Sequence, residues 1–436
     1  MIPVRNRKLR GCRRHFQAAF AAVLAMCLAA CAPSGRHASP LEAHARSPDA
    51  AAPAASASRF QYIYLIHGDA GYAYHDTSGR RHLADTEAVS QARYVALHAP
   101  EAEVFIFHQV ARRNRWFHAP YDGLMYHYRN GSEVEKIAYR RDPLHGDFQA
   151  EADLLRGLAA PSLAGADPTK VFLYFGHEIP PREMKGYSRS LPDQDFSLAE
   201  FTRGLQRFAG PAGLAGSSGL PDPAHARDSA QAGGPSHSGA KPFSLIVISA
   251  CNGGTPAVTQ ALAPFTPLLL ASPGELHLSF LDTRPLAASL PASPGNRDVS
   301  RYAQARAWGE GIAGTSFDRL KATTETAVTL SLYDMDQASA YLQAHEQAWI
   351  PVGGEDGAVA GTVPVFRDCA DKADFGPGGA EAGVTTYYRP PQFGWDKRKT
   401  TYSGWGCPAY PAPAFLQGVH TVPALSQGMK TQDPGR

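Results

Sequence analysis

The sequence predicts an α/β domain with a mostly parallel central sheet covered by helices on both faces. Short, wholly apolar runs recur at residues 62–66 (YIYLI), 104–107 (VFIF), 171–175 (VFLYF), 245–249 (LIVIS) and 268–271 (LLLA). Runs of this length with no polar face read as strands buried on both sides. Helix-period segments lie between them, and strands that alternate with helices build parallel sheets. Two of the runs lead directly into reactive side chains, which is where such sheets hold their ligands.

Each element has its own local reason. Residues 85–98 (DTEAVSQARYVALH) place Ala88, Ala92, Val95 and Ala96 on one helical face. A helix over 198–208 is opened by Ser197, whose hydroxyl suits the N-cap position. A further helix is expected over 257–262, and residues 324–342 supply one more strand and helix. These elements define a folded domain over 59–345. Residues 210–241 (GPAGLAGSSGLPDPAHARDSAQAGGPSHSGAK) lack the apolar content to build a core and are expected to form a disordered insertion. The 346–436 region is rich in Gly, Pro and Tyr and is expected to be an irregular carboxy-terminal appendage.

The amino terminus is an address rather than part of the fold. Arg5, Arg7, Lys8, Arg10, Arg13 and Arg14 precede an apolar stretch, QAAFAAVLAMCLAA over 17–30, that is too short for a permanent membrane span. The stretch ends in Leu28-Ala29-Ala30-Cys31, which resembles the lipobox of bacterial lipoproteins. That resemblance implies cleavage of a signal peptide over 1–30 and lipid on the Cys31 thiol. Ala32 follows where aspartate would favour retention in the inner membrane, so the outer membrane is the expected destination. Residues 31–58, rich in Ala, Pro, Ser and His, read as a flexible tether.

Export makes the cysteine count informative. Cys12 and Cys27 leave with the signal, and Cys31 is consumed by lipid. Cys251, Cys369 and Cys407 remain in an oxidising compartment. An odd number leaves one unpaired; Cys369 and Cys407, both in the carboxy-terminal region, are the natural disulfide, and Cys251 is left over. The net charge of +2 and the shortness of the basic clusters give no support for nucleic-acid binding. Among the histidines, His75, His82, His108, His118 and His127 show no metal-ligand spacing, so neither a metal nor another cofactor is expected.

Chemistry concentrates at two strand ends. Residues 171–175 lead into Gly176-His177-Glu178, and 245–249 into Ala250-Cys251-Asn252-Gly253-Gly254. If these strands are parallel neighbours, His177 and Cys251 emerge on one edge of the sheet. An imidazole there can take the thiol proton and later protonate a leaving group. Gly253 and Gly254 permit a tight turn and close approach of a substrate backbone. The N–H of Cys251 is placed to donate to a developing oxyanion. His67 and Asp69 follow the first strand and are expected to line the same cleft. Their His67-Gly68-Asp69 context resembles the oxyanion loop of α/β-hydrolases, but the chain has no G-x-S-x-G elbow, which excludes that enzyme class.

A strand ending in His followed by one ending in Ala-Cys resembles the clan CD cysteine peptidases, the caspase-like fold. Residues 245–254 (LIVISACNGG) are similar to the strand and cysteine motif of clostripain-like and CHAT domains, and Phe196-Ser197-Leu198-Ala199-Glu200-Phe201 to their intervening helix. Residues 268–275 (LLLASPGE) and 329–334 (TLSLYD) resemble later clostripain-like strands. The resemblance implies a three-layer caspase-like domain, a Cys251 nucleophile, a His177 acid/base and a peptide or protein substrate. Glu178 stands where that family carries glycine after the histidine, with Gly176 before it instead. Glu275 and Asp282 are candidate pocket residues for a basic substrate side chain. Two functions follow as expectations: a lipid-anchored envelope cysteine peptidase, or a catalytically inactive relative that binds or scaffolds.

Overall fold

A computed structural model of the chain describes residues 58–67, 73–75, 79–110, 121–141, 146–159, 168–180, 196–210, 241–276, 281–288, 297–344, 349–351, 364–366, 382–398 and 402–406. The signal segment, the tether with Cys31, Asp69, residues 211–240, Cys369 and Cys407 lie outside the described residues.

The first half contains β1 (Phe60–His67), β2 (Ala73–His75), β3 (Arg81–Leu83), α1 (Ala84–His98), β4 (Ala102–Gln109), β5 (Gly123–Arg129), β6 (Ser132–Tyr139), α2 (Gln149–Ala159) and β7 (Thr169–Phe175). The second contains α3 (Leu198–Ala209), β8 (Leu245–Ser249), α4 (Pro256–Leu262), β9 (Leu268–Ala271), α5 (Arg297–Thr323), β10 (Val328–Asp334), α6 (Met335–Ala344), β11 (Trp349–Pro351), β12 (Pro364–Phe366) and β13 (Val384–Arg389). Nine strands form one sheet in the order β13-β10-β9-β8-β7-β1-β4-β5-β6. Its middle, β4-β1-β7-β8-β9, is parallel throughout. Antiparallel pairs close both edges: β5 and β6 on one, β10 and β13 on the other.

Alternation along β1 shows how the layers form. Ile63 and Leu65 enter the core shared with α2, α3, α4 and α6, whereas Tyr62, Tyr64 and Ile66 enter the core shared with α1 and α5. A strand that feeds two cores has no polar face, hence its unbroken apolar run. Trp308 of α5 packs edge-on against Phe60 and Tyr62 at 5.0 and 5.5 Å, and its indole N–H donates to the Ala288 carbonyl at 2.9 Å. At α3, the Ser197 hydroxyl accepts from the Glu200 N–H at 3.2 Å, the cap its sequence position implied.

Two features depart from the sequence expectation. The β5–β6 hairpin was not foreseen, although Asn130 and Gly131, with φ of 50° and 70°, supply the two-residue turn that Asn-Gly favours. Within the carboxy-terminal region, β13 joins the main sheet against β10, so part of this appendage belongs to the domain. Among the described residues, no helix is long and apolar enough to cross a membrane.

The β4–β5 edge buries a carboxylate. Glu103 has no exposed surface and accepts from the His127 ring at 2.9 Å and from Arg129 Nε at 2.7 Å. Burial alone would raise its carboxyl, but the hydrogen bonds from His127 and Arg129 outweigh that and hold it below its ordinary value. A depressed folded-state pKa stabilises the protein above the unfolded value of about 4.3 and is lost as pH falls through the folded one. Thermal melts are therefore expected to drop more steeply below about pH 4 in the wild type than in Glu103→Gln, which has no carboxyl to protonate there.

Candidate active site

β7 and β8 are parallel neighbours with Phe175 opposite Ser249, so His177 and Cys251 each lie two residues beyond a matched pair. The Gly176 N–H donates to the Ser249 carbonyl at 3.2 Å and carries the pairing one step past the strands. A Cβ on Gly176 would stand 2.4 Å from the Tyr174 hydroxyl oxygen. That hydroxyl donates to the His177 carbonyl at 3.3 Å and holds the turn. Sequence reasoning thus placed both residues on one edge of the sheet, and the register agrees.

Cys251 is half-buried and is a free thiol. Its Sγ meets both polar atoms of the Leu276 backbone, donating to the carbonyl and accepting from the N–H at 3.4 Å each. Burial pushes the thiol above its ordinary pKa; the Leu276 contact opposes this, while the negative charges of Glu178 and Glu275 add to it. Glu178 is half-buried, and its carboxyl, raised chiefly by burial, is hydrogen-bonded to the Asn252 side chain. The residue after the histidine is therefore joined to the residue after the cysteine. Asn252 was not singled out by sequence; its position beside the cysteine was the only available signal.

Gly253 and Gly254 are each pressed against neighbours within the fold. The left-handed backbone falls on Asn252, with φ of 55°. A Cβ on Gly253 would lie 2.9 Å from Ile248 Cγ2, and one on Gly254 would lie 2.1 Å from the Tyr333 hydroxyl oxygen. This loop runs beside 272–276: the Asn252 N–H donates to the Gly274 carbonyl at 2.9 Å, and the Gly254 N–H to the Ser272 carbonyl at 2.8 Å. On its other side, the Gly406 N–H donates to the Gly254 carbonyl at 3.0 Å. The Tyr333 hydroxyl shares its proton between the carbonyls of Gly254 and Gly404, which ties β10, the 251–254 loop and 402–406 together.

Of the two pocket candidates, Glu275 is exposed and its negative charge acts on the thiol. Asp282 is fully buried, and both its carboxylate oxygens accept from Arg284 Nε, at 2.9 and 3.0 Å. This ion pair outweighs burial and holds the Asp282 carboxyl below its ordinary pKa, so its charge is committed to Arg284. His67 ends β1, buried, with its ring edge-to-face against His177 at 6.3 Å between centroids. His82, His108 and His127 each meet a different carboxylate, Glu87, Asp85 and Glu103. Among the described residues no group of His, Cys, Asp and Glu is gathered to hold a metal ion.

No family model matches the chain, and no curated protein matches its sequence. Its fold is similar to those of solved C11 cysteine proteases. One is an inactive zymogen C11 protease from Parabacteroides distasonis, with a TM-score of 0.41, 11% identity, and coverage of 67% of this chain and 66% of that one. Another is the secreted C11 cysteine protease iotapain from Bacteroides thetaiotaomicron, with a TM-score of 0.41, 12% identity, and coverage of 67% and 71%. A secreted C11 protease from the same organism, in complex with an irreversible peptide inhibitor, gives 0.40, 10%, and coverage of 67% and 70%. The chain thus spans about two thirds of the length of these proteins, and the likeness concerns the fold alone.

Proposed function

We propose that the protein is a cysteine peptidase of clostripain-like type, exported and held at the bacterial envelope by lipid on Cys31. The observation that carries the peptidase reading is the shared edge of β7 and β8, from which His177 and the free Cys251 both emerge. His177 takes the proton from Cys251, and the thiolate attacks the peptide carbonyl carbon. The tetrahedral intermediate collapses to a thioester as His177 returns the proton to the departing amine. His177 then takes a proton from water, whose oxygen displaces the sulfur; the acid leaves and the thiol is restored. The test is a peptide library together with an electrophilic peptide probe. Cleavage, with the probe attached at Cys251, is the expected result; no cleavage and no labelling would sink the reading. Lipidation is tested separately by radiolabelled palmitate, which should enter the wild type and not Cys31→Ser.

One observation favours a second reading, a catalytically silent binding or scaffold lipoprotein. Burial and the charge of Glu178 both oppose thiolate formation at Cys251. The Glu178→Gln variant separates the two effects. Removing a negative charge beside the thiol lowers its pKa, so the pH midpoint of iodoacetamide alkylation should move down relative to wild type. An unchanged midpoint would mean that Glu178 is a bystander and that the remaining surroundings set the thiol.

A further inference from the structure

Behind His177 lies a buried hydrogen-bonded chain that the dyad itself does not use. His67 and Gln109 are register partners on the parallel strands β1 and β4. His67 Nδ1 is 2.7 Å from Gln109 Oε1, and Gln109 Nε2 donates to Glu151 Oε1, on α2, at 2.9 Å. The Tyr139 hydroxyl donates to the same carboxylate oxygen at 2.9 Å. All four side chains are buried. Burial, reinforced by the charge of Glu151, pushes the Tyr139 hydroxyl far above its ordinary pKa, so it remains a donor.

The chain has a direction. Two donors converge on one oxygen of Glu151, so the Gln109 amide must turn its N–H toward the carboxylate and its carbonyl toward His67. A carbonyl oxygen only accepts, so His67 carries its proton on Nδ1, and in the neutral ring Nε2 is an acceptor. This imidazole stands edge-to-face to His177 at 6.3 Å. Both histidines are at the same edge of the sheet, since Ile66 is opposite Phe175 in the β1–β7 register.

We propose that His67 is a positioning residue for His177. The chain from Tyr139 through Glu151 and Gln109 fixes the tautomer and plane of the His67 ring, and that ring sets the orientation in which His177 meets Cys251. Four residues from β1, β4, β6 and α2 thereby act on a base carried by β7. The role rests on the dyad reading given above, and it adds a third member that touches no substrate.

The test compares wild type, His67→Ala, His67→Gln, Gln109→Met and His177→Ala. Its readouts are kcat and KM on a cleaved peptide, the pH profile of Cys251 alkylation, and the folded fraction from circular dichroism. Misorienting a catalytic base is expected to lower kcat by about 10- to 100-fold with little change in KM. In His67→Ala and Gln109→Met the alkylation profile should move toward that of His177→Ala. His67→Gln retains an amide to pair with Gln109 and guards against misfolding; it should keep the fold and still lose the kcat. Wild-type kcat and alkylation in the folded His67 variants would overturn the inference while leaving the dyad intact. A His177→Ala profile identical to wild type would overturn both. If no variant or wild type cleaves peptides, but His67→Ala still shifts the alkylation profile, the positioning role stands and the peptidase reading falls.

Discussion

Replacing Cys251 with alanine is expected to lower kcat/KM by at least about 10,000-fold, because the covalent route has no other nucleophile. The same substitution should barely move the melting temperature. Cys251 is half-buried, and its side chain is held by two long contacts to the Leu276 backbone at 3.4 Å. Neutral hydrogen bonds of good geometry contribute about 1 kcal/mol each, and sulfur contacts of this length contribute less. The loop around the residue is held by other groups, through Asn252 to Gly274 and Gly254 to Ser272. Activity against a cleaved library peptide and a thermal melt, taken on one preparation, check both halves. Residual activity above a few per cent of wild type would remove Cys251 from the nucleophile role. A collapsed melt would instead make it a packing residue.

The second large effect is expected at Gly254. An alanine Cβ there would stand 2.1 Å from the Tyr333 hydroxyl oxygen and 3.0 Å from the Pro273 backbone nitrogen. The backbone cannot yield cheaply, since Pro273 is flanked by Ser272 and Gly274, which bind the 251–254 loop. Tyr333 has no exposed surface, and its hydroxyl donates to Gly254 at 3.2 Å and to Gly404 at 2.5 Å. Displacing it breaks the hydrogen bond that its one proton shares between these two carbonyls. Overpacking costs about 1–3 kcal/mol and the lost buried hydrogen bond about 1 kcal/mol more, so Gly254→Ala should destabilise by about 2–4 kcal/mol. The displaced loop should also cost about 100-fold in kcat, since a shift of 1 Å in a reacting group is enough for that. Gly274→Ala is the control: nothing lies within 4 Å of the Cβ it would add. Urea denaturation of the two variants should separate them clearly; equal midpoints would show that the close approach at Gly254 relaxes without cost.

The central strands were legible because they face two cores. β1, β4, β7, β8 and β9 carry unbroken apolar runs, since both sides of each strand meet helices. The edge strands lacked that signal. β6 (SEVEKIAY) is exposed along most of its length, so its pattern is that of a polar segment, and only Asn130-Gly131 announced the hairpin. The reactive residues were legible for a related reason: an apolar run that stops at His or Cys marks a strand end, and the order of the chain suggested that the ends were neighbours. Asp282 shows the limit of that reasoning. A carboxylate in the segment after β9 was read as a pocket candidate, but Arg284, two residues further on, pairs with it from the surface side.

The amino-acid sequence by itself determined the α/β class, the strands that build the middle of the sheet, the cap on α3 and the cysteine and histidine at two strand ends. All of these follow from hydrophobic period and from side-chain chemistry within a few residues, which are local properties of a chain. The tertiary structure alone decided what surrounds those two residues. It joined Glu178 to Asn252, laid the Leu276 backbone on the thiol, and packed Tyr333 against Gly254. It also linked His67 to Gln109, and Gln109 to Glu151, each across 42 residues of chain. Pairings of this kind depend on which strands lie side by side and in what register, and no local pattern encodes a neighbour that the sheet supplies only once it has formed.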